Sequence, residues 1–386
     1  MSEWKETTLG QLVTFQRGHD LSQTQFKEGI YPIVGSNGII GYHNEFTTKK
    51  NGITIGRSGN IGNPFYIDED FWAHNTTLYV KEFHNSHPKF IYYLLKTLDF
   101  QSFNSGSAVP SLNRNYIHPY LLNAPDYDEQ VKIADVLSSL DRKISNLRQQ
   151  NKTLEKIAQT LFKHWFVDFE FLNEDGKPYK SSGGEMVRSE LGEIPAGWQV
   201  GELGNIGKNI RDGISEDEIQ PDMNYIALEH MPRKQIALDS WDTAADIASN
   251  KFIFKKGNIL FGKLRPYFHK VGIAFISGIC STDILVLGSK RKDLFSFLLM
   301  VLSSDEFIKY VTLASEGTRM PRTSWEYMKE YPIYIPDNSV VSAFNDLVKA
   351  STNKIENNVF QIQTLTQIRD VLLPKLMSGK LRITAS

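Results

Sequence analysis

The chain has 386 residues, of which 41% are hydrophobic and 12% aromatic, so it can bury two ordinary cores and has no compositional bias toward disorder. Its 43 Lys and Arg residues are balanced by 44 Asp and Glu residues, and the net charge of −1 argues against a protein that coats nucleic acid through a broad basic surface. A start without a secretory pattern, the lack of a long apolar run and the single Cys280 together predict a cytoplasmic protein.

The second half of the sequence repeats the first. The later parts of the two halves match at a separation of 211 residues, in the pairs Gly106/Gly317, Pro110/Pro321, Tyr116/Tyr327, Pro125/Pro336, Ile144/Ile355 and Leu154/Leu365. The separation is 194 at the start of each half (Trp4/Trp198, Leu9/Leu203, Gly10/Gly204) and 206 in between (Gly56/Gly262, Thr76/Thr282, Val80/Val286). A solenoid repeat of about 20 to 50 residues is much shorter. The sequence therefore predicts a tandem duplication in which each copy holds a domain.

Between Trp4 and Pro125 the first copy consists of short β-rich segments broken by turns. Asn37-Gly38, between apolar flanks, predicts a β-hairpin. Further strands are predicted within residues 51–67 and 76–80, and a helix over residues 87–98 with Pro88 in its first turn. These segments indicate an α+β domain with glycine-rich loops.

From Asp128 the sequence changes to a helical period. Core positions follow one another at alternating steps of three and four, as in a coiled coil. They are Leu137, Leu140, Ile144, Leu147, Asn151, Leu154, Ala158, Leu161 and Trp165. About 40 residues at about 1.5 Å per residue predict a helix about 60 Å long. Asn151 is polar at a core position, where a single amide commonly sets the register of two helices at some cost in stability.

Residues 173–197 are polar and rich in turn formers, which predicts a linker. After Trp198, strands are predicted at 224–228, 258–261 and 284–287, and one apolar helix over residues 294–311. A second helical seam follows from Val340, through Phe344, Val348, Ser351, Ile355, Asn358, Ile362, Leu365, Arg369 and Leu372. Pro374 and Gly379 are expected to end that helix.

Neither long helix is expected to be stable alone in water, because each would expose an apolar stripe. We expect the two helices to pack on each other, and antiparallel, because two like copies related by a twofold axis across the pair run in opposite directions. The predicted fold class is α+β, with two globular domains separated by a long antiparallel two-helix coiled-coil spacer in a pseudo-twofold tandem repeat. The predicted divisions are a first domain at 1–125, a spacer helix at 126–172, a linker at 173–197, a second domain at 198–336, and a second spacer helix with a tail at 337–386.

This organisation resembles the DNA specificity subunits of type I restriction-modification systems. The resemblance rests most sharply on EQVKIADVLSSLDRKI at 129–144, on LFKHWFVDFEF at 161–171 with its continuation to residue 198, and on LLPKLMSGKLRI at 372–383. It implies a non-catalytic subunit in which each domain, called a target-recognition domain, reads one half of a bipartite sequence in double-stranded DNA. A spacer of fixed length suits this task, because half-sites read from one face of a duplex lie about 34 Å apart or a multiple of it.

The same resemblance implies partners. Two methyltransferase subunits, which use S-adenosylmethionine, dock on the helices, and restriction subunits that use ATP and magnesium can join them. We expect no cofactor to bind this chain itself.

Candidate DNA-contacting residues lie on loop 56–62, on the loop aligned with it in the second half, and on a third loop that occurs in both halves. GRSGNIG at 56–62 has neither dinucleotide-binding nor P-loop spacing, so its glycines indicate either a backbone that approaches a ligand or a tight turn. Its polar candidates are Arg57, Ser58 and Asn60. The aligned loop in 261–272 interleaves basic and aromatic residues, which suits phosphate and base contacts better than a solvated hairpin. Its candidates are Lys263, Arg265, Tyr267, His269 and Lys270.

The third loop occurs once in each half and offers different polar residues in a shared frame. Its candidates are Ser107, Ser111, Asn113 and Arg114 in the first half and Thr318, Arg319, Arg322, Thr323 and Ser324 in the second. The alternative is that Pro110 and Pro321 only shape a loop that packs against the spacer.

Two other functions remain as alternatives. NPFY at 63–66 resembles the NPPY signature of adenine methyltransferases, in which the Asn holds the amino group and the aromatic ring stacks on the flipped base. Phe65 replaces Pro and no cofactor loop follows, so an ordinary turn is favoured over a stand-alone methyltransferase that uses Asn63 and Tyr66. A coiled-coil scaffold whose domains bind protein is the third possibility. No metal site is predicted, because the histidines share no spacing with a second ligand type.

Overall fold

A computed structural model describes residues 4–103, 111–313 and 320–383 of the chain. The chain divides into two compact units. Unit 1 contains residues 1–143 and 365–386, and unit 2 contains residues 144–364. Each unit therefore combines one β-rich part of the sequence with a stretch of each long helix. The domain bounds proposed from the sequence stay a prediction.

Unit 1 is a mixed α and β unit, as predicted. Its strands in the described residues are β1 (Lys5–Thr8), β2 (Val13–Arg17), β3 (Tyr31–Gly35), β4 (Gly38–His43), β5 (Gly52–Gly56), β6 (Pro64–Ile67), β7 (Trp72–Ala73), β8 (Thr77–Phe83) and β9 (Leu121–Ala124). Its helices are α1 (Leu9–Leu12), α2 (Pro88–Lys96), α3 (Arg114–Ile117), the first part of α4 (Tyr127–Phe166) and the last part of a second long helix, α9 (Asn338–Met377). The strands form a sheet of order β2-β8-β5-β6, a second of order β4-β3-β7, and the pair β1-β9.

Local sequence signals account for two of these elements. Gly38, with a φ of 96°, follows the turn between β3 and β4, so the predicted hairpin is present. Helix α2 begins with Pro88 at its first position, where the missing N–H costs nothing, and it buries an apolar face against the β5 and β6 strands.

Unit 2 repeats this plan with added strands. They are β10 (Met186–Ser189), β11 (Gly192–Pro195), β12 (Gln199–Glu202), β13 (Gly207–Ile210), β14 (Gly213–Ile214), β15 (Asn224–Ile226), β16 (Asp242–Thr243), β17 (Lys251–Phe254), β18 (Ile259–Gly262), β19 (Val271–Ile273), β20 (Gly278–Cys280), β21 (Ile284–Ser289) and β22 (Pro332–Ile335). The helices are the last part of α4, then α5 (Leu203–Ile206), α6 (Phe295–Leu302), α7 (Asp305–Leu313), α8 (Trp325–Met328) and the first part of α9 (Asn338–Met377). The sheets have orders β13-β21-β18-β19 and β14-β17-β20-β15-β16, with the pairs β10-β11 and β12-β22.

Strand registers confirm the duplication. Lys5 of β1 pairs with Ala124 of β9, and Gln199 of β12 pairs with Ile335 of β22. These partners are related by the separations of 194 and 211 residues found in the sequence. The same long-range pairing therefore closes both units.

The helix predicted over residues 294–311 is wrong as a single element, because the chain forms α6 and α7 there. The break lies at Ser303 and Ser304. Both hydroxyls donate to backbone carbonyls one turn earlier, and the Ser304 hydroxyl accepts from the Phe307 N–H at 3.1 Å. Serine competes with helical backbone bonds in this way and can start a new helix.

The two long helices run antiparallel within unit 2. The Asn358 amide donates from Nδ2 to Oδ1 of Asn151 at 2.8 Å, and the Trp165 and Phe344 ring centroids lie 6.0 Å apart. Trp165, near the end of α4, thus packs on Phe344, near the start of α9, as an antiparallel pair requires. Helix α9 continues beyond Pro374 to Met377, so Pro374 does not end it, whereas Gly379 follows its end with a φ of 70°.

Every predicted seam residue is at least partly buried. Leu137, Ile144, Leu147, Asn151, Val348, Ile355 and Ile362 are buried, and Leu140, Leu154, Leu161, Leu365 and Leu372 are partly buried. The apolar stripe of each helix is therefore covered.

The segment predicted as a linker has its own local structure in unit 2. Strands β10 and β11 form a hairpin within it, and the Tyr179 ring stacks on Phe171 with centroids 4.6 Å apart. Phe171 in turn stacks on Trp198 at 5.3 Å. These aromatic contacts anchor the segment on the core of unit 2. Within the described ranges, no helix combines the length and the hydropathy that a membrane span needs.

The buried pair of Asn151 and Asn358 predicts opposite effects on stability for a single and a double substitution. Asn358→Ala leaves the Asn151 amide buried without its partner, so we expect a loss of about 1–3 kcal/mol in the free energy of unfolding. Replacing both amides by leucine removes the unpaired groups and is expected to restore or exceed the original stability. Denaturant unfolding of the full chain measures both effects.

Asn357 provides the control, because it is exposed on the same helix. Asn357→Ala should change stability by no more than about 0.5 kcal/mol. An equal loss for Asn357→Ala and Asn358→Ala would contradict the role of the pair.

Candidate nucleic-acid interface

In each unit, two of the loops that the sequence singled out are joined by the same backbone hydrogen bond. In unit 1 the Leu112 N–H donates to the Arg57 carbonyl at 2.8 Å. In unit 2 the Thr323 N–H donates to the Lys263 carbonyl at 3.0 Å. These positions correspond by the separations of 211 and 206 residues, so the duplication repeats the contact between the loops.

The unit 1 interface is built on the end of β5. Ser58 forms a β-bridge with Ser111, and the backbone N–H groups of Arg57 and Ser58 both donate to the Thr76 carbonyl. The Arg57 side chain is partly buried and reaches the Asn75 carbonyl at 3.4 Å, whereas Asn60 is exposed. Loop 56–62, residue Ser111 and the segment before β8 therefore form one surface.

The glycines of loop 56–62 are explained by the turn itself. A Cβ at Gly56 would lie 1.7 Å from the Asn60 carbonyl oxygen, and one at Gly62 would lie 2.2 Å from the Phe100 Cβ. Gly59 and Gly62 also have positive φ angles of 80° and 81°. Of the two interpretations of this loop, the structure supports the tight turn for these glycines, and a ligand is not needed to explain them.

The unit 2 interface has a similar frame and different side chains. Leu264 forms a β-bridge with Arg322, and the Arg265 N–H donates to the Pro321 carbonyl at 2.7 Å. The Arg322 guanidinium lies 3.3 Å from the Asp283 carboxylate. Tyr267 is exposed on the same loop. Cationic and aromatic groups are thus held together at one place.

Two candidates of this loop turn into the protein. His269 is buried, and its Nε2 atom lies 2.9 Å from the Ser303 carbonyl oxygen. Burial lowers the pKa of His269 below its ordinary value. The Lys270 ammonium donates to the Leu228 carbonyl, and burial lowers its pKa as well. Both side chains are therefore engaged within the fold.

Asn113 and Ser324, at corresponding positions, have local structural roles. Asn113 accepts from the Asn115 N–H at 3.0 Å and caps α3, and Ser324 accepts from the Tyr327 N–H at 3.4 Å and caps α8. Thr323 is buried. Arg114, which follows the capping residue Asn113, is exposed, and its guanidinium lies 3.4 Å from the Phe15 carbonyl oxygen. Ser107, Thr318 and Arg319 lie outside the described residues.

The structure adds polar residues that the sequence did not single out. In unit 1, Asp20 accepts from the Asn75 amide and from Arg17 at 2.9 Å, and the bond from Asn75 lowers its pKa. In unit 2 the added residue is Asp283, the partner of Arg322. The matched pair Thr76/Thr282 lies beside Asn75 and Asp283 and was the one sequence signal that pointed to these segments.

The NPFY segment lies mostly in a strand and not in a loop. Pro64–Ile67 is strand β6, and Asn63 just before it is exposed. The Tyr66 hydroxyl donates to Oδ1 of Asn51 at 2.6 Å, and its ring lies 5.8 Å from that of Tyr92 on α2. Tyr66 is therefore engaged in packing between a strand and a helix.

A buried carboxylate of α4 supports the unit 2 interface. Glu155 accepts from the backbone N–H groups of Ile236 and Ala237, both at 3.0 Å. Two residues earlier, the Lys234 N–H donates to the His269 carbonyl at 2.9 Å. Burial raises the pKa of the Glu155 carboxyl to about 7. The interface loop is thus tied through residues 234–237 to the long helix.

Comparison with known proteins identifies the family of this chain. The family of the type I restriction modification DNA specificity domain matches residues 1–156 and 195–361. A type I restriction enzyme specificity subunit of Methanocaldococcus jannaschii, MjaIX, is 30% identical over 316 residues, which are 76% of this chain and 69% of that protein. The EcoDI specificity subunit of Escherichia coli is 23% identical, and the match covers 98% of this chain and 89% of that protein.

A solved structure shares the fold. It is the crystal structure of the S subunit of a type I restriction-modification system from M. genitalium, with a TM-score of 0.60 and 17% identity. The match covers 99% of this chain and 97% of that one.

The raised pKa of Glu155 predicts a pH dependence of stability. The folded chain binds this proton more tightly than the unfolded chain. The stabilisation by the protonated Glu155 carboxyl is therefore complete below the unfolded pKa of 4.5 and is lost as the pH rises through about 7. Between about pH 5 and about pH 8, the free energy of unfolding of the wild type should fall by about 2.5 kcal/mol relative to that of Glu155→Gln, which cannot ionise. Denaturant unfolding of both proteins at each pH tests this, and parallel pH profiles would contradict it.

Proposed function

We propose a DNA-recognition function for this chain, which belongs to the family of type I restriction-modification DNA specificity subunits. The chain is a non-catalytic subunit that recognises DNA within a restriction-modification complex. Each unit reads one half of a bipartite target, and the paired long helices set the gap between the halves.

One observation supports the assignment of the reading surfaces. In both units the same pair of loops is joined by equivalent backbone bonds, from Leu112 to Arg57 and from Thr323 to Lys263. The frame is kept while the side chains differ. Two domains that recognise different half-sites need this combination, because the phosphate backbone of DNA has the same geometry in both half-sites whereas the base edges differ.

The charges at these loops suit an anionic ligand. Within residues 4–103, 111–313 and 320–383, none of the cations Arg57, Arg114, Lys263 and Arg265 has a carboxylate at ion-pair distance. Polar side chains beside them, Ser58, Asn60 and Ser111, add groups that can contact bases or phosphates. Because the total charge is only −1, we expect modest affinity for DNA from the chain alone.

The long helices carry features that fit protein partners. In unit 2, Ile157, Leu347 and Phe360 are between 40% and 54% exposed, and in unit 1, Ile368 and Val371 are 43% and 56% exposed. Apolar side chains on a solvated helix face commonly mark an interaction surface. We propose that two methyltransferase subunits dock on these helices and bring S-adenosylmethionine, and that restriction subunits bring ATP and magnesium.

The bipartite target is tested by selection. The full chain, alone and assembled with the methyltransferase subunit of its own genome, is incubated with randomised duplexes, and the retained DNA is sequenced. We expect two short fixed blocks separated by a gap of constant length. A single block, or no enrichment from the assembled complex, would contradict the proposal.

The stand-alone methyltransferase is tested in the same preparation. The chain alone with DNA and labelled S-adenosylmethionine should transfer no methyl group, because Tyr66 is engaged with Asn51 and Tyr92, whereas the motif needs an aromatic ring that stacks on the flipped base. Transfer without a partner would restore the enzyme as a candidate.

The reading surfaces predict the effects of single substitutions. Arg57→Ala in unit 1 and Arg322→Ala in unit 2 should each cost about 1–3 kcal/mol of binding and relax one target position in the assembled complex. The relaxed positions should fall in different halves of the target. Fluorescence anisotropy on single-base variants of the selected duplex measures both.

Ser324→Ala is the control, since that hydroxyl caps α8. It should lower stability and leave base preference unchanged. If none of the proposed cations affects binding or target choice, the assignment of the surfaces is wrong.

A further inference from the structure

A second cationic feature of unit 2 joins the loop 261–272 to Arg233, which lies in a segment that the sequence did not single out. The Arg233 Cζ lies 3.9 Å from the centroid of the Phe268 ring, and the Arg265 Cζ lies 5.8 Å from the same centroid. The two guanidinium carbons are therefore at most 9.7 Å apart, the sum of these distances. Arg233 is exposed, and Arg265 is partly buried.

Neither arginine is neutralised by an acid in the part of the chain that the structure describes. The neighbouring cations are neutralised there: Lys234 lies 2.9 Å from Asp305, and Arg322 lies 3.3 Å from Asp283. Two guanidinium groups around one ring repel each other, and the aromatic face offsets only part of that cost. An anion between or across them would remove the repulsion.

The backbone holds the two arginines in place at a cost. Arg265 and His269 have φ angles of 51° and 52°, and Lys234 has a φ of 55°, all in the left-handed region that non-glycine residues rarely adopt. The Lys234 N–H donates to the His269 carbonyl, and the Arg265 N–H donates to the Pro321 carbonyl. These bonds tie the segment of Arg233 to the interface loop, so the pair is organised before any ligand binds.

The pair is specific to the second copy. Phe268 corresponds by the 206-residue separation to Gly62, where a Cβ would lie 2.2 Å from the Phe100 Cβ. Arg233 lies between Gly204 and Gly262, the interval in which the second copy is 12 residues longer than the first. Unit 1 therefore has no equivalent of this arrangement at the aligned position.

We propose that Arg233 and Arg265, positioned around Phe268, bind the DNA backbone as a phosphate-binding pair of unit 2. This inference rests on the DNA-recognition function proposed above. A guanidinium held against a ring keeps its N–H edge outward, and its planar fork matches the oxygens of a phosphodiester. Phe268 acts as a positioning residue that keeps the two forks at a set spacing.

The salt dependence of binding tests the proposal. For the assembled complex on the selected duplex and on a duplex of random sequence, we expect Arg233→Ala to weaken binding on both. It should reduce the slope of log K against log salt by about 0.9, the value for one lost phosphate contact. Arg233→Lys should keep most of the slope because it keeps the charge. Base preference at every target position should stay unchanged.

Two further variants sharpen the result. Arg188→Ala removes an exposed guanidinium from β10 and should leave the slope unchanged. Arg233→Gln is a second neutral variant, with the same expected loss, should the alanine protein prove unstable in thermal unfolding.

Three outcomes would overturn the proposal. An unchanged slope for the neutral variants, with normal wild-type binding, removes the phosphate pair and leaves the proposed function intact. A relaxed preference at one base would assign Arg233 to base reading instead. Failure of the wild-type complex to bind any duplex would remove both the pair and the function it rests on.

Discussion

The structure depends on the burial of two apolar stripes that a single helix cannot cover. Unit 1 buries Leu137 of α4 together with Leu376 of α9 in one core, and unit 2 buries Phe166 of α4 together with Phe344 of α9 in another. Helix α4 follows the first copy of the duplicated sequence and α9 follows the second. Neither copy therefore completes a core with its own helix alone, and each unit needs residues from both halves of the chain.

The segment that follows each long helix covers the tryptophan at the start of one copy of the repeat. In unit 1 the Arg382 guanidinium lies over the Trp4 ring at 5.8 Å, and it also pairs with Glu129. In unit 2 the corresponding place over Trp198 is occupied by Phe171. The tail after α9 thus serves unit 1 as the segment after α4 serves unit 2. An equivalent tryptophan is covered in both, although one cover is a charged side chain and the other an aromatic ring.

The candidate loops could be located from the sequence, but the direction in which their side chains point could not. Aligning the two halves identified the loops, because each loop recurs in the second half at a separation shared by its neighbouring residues. Sequence could not show that His269 is buried or that Asn113 and Ser324 cap short helices, since a polar side chain on a loop has the same appearance whether it faces water or the core. Arg233 was missed because it meets Phe268 only through the fold.

The sequence by itself determined the duplication, the α+β class, the long helices and the resemblance to a specificity subunit, because periodicity and repeat spacing are written in the order of residues. Only the tertiary structure decided that Ser303 and Ser304 split a predicted helix, that residues 173–197 fold onto a core, and that cations such as Arg322 are paired with a carboxylate. Burial and ion pairing depend on groups distant in sequence, so local patterns do not specify them. The serine bonds that divide the helix are local, but the apolar pattern on both sides of them is continuous and favours a single helix.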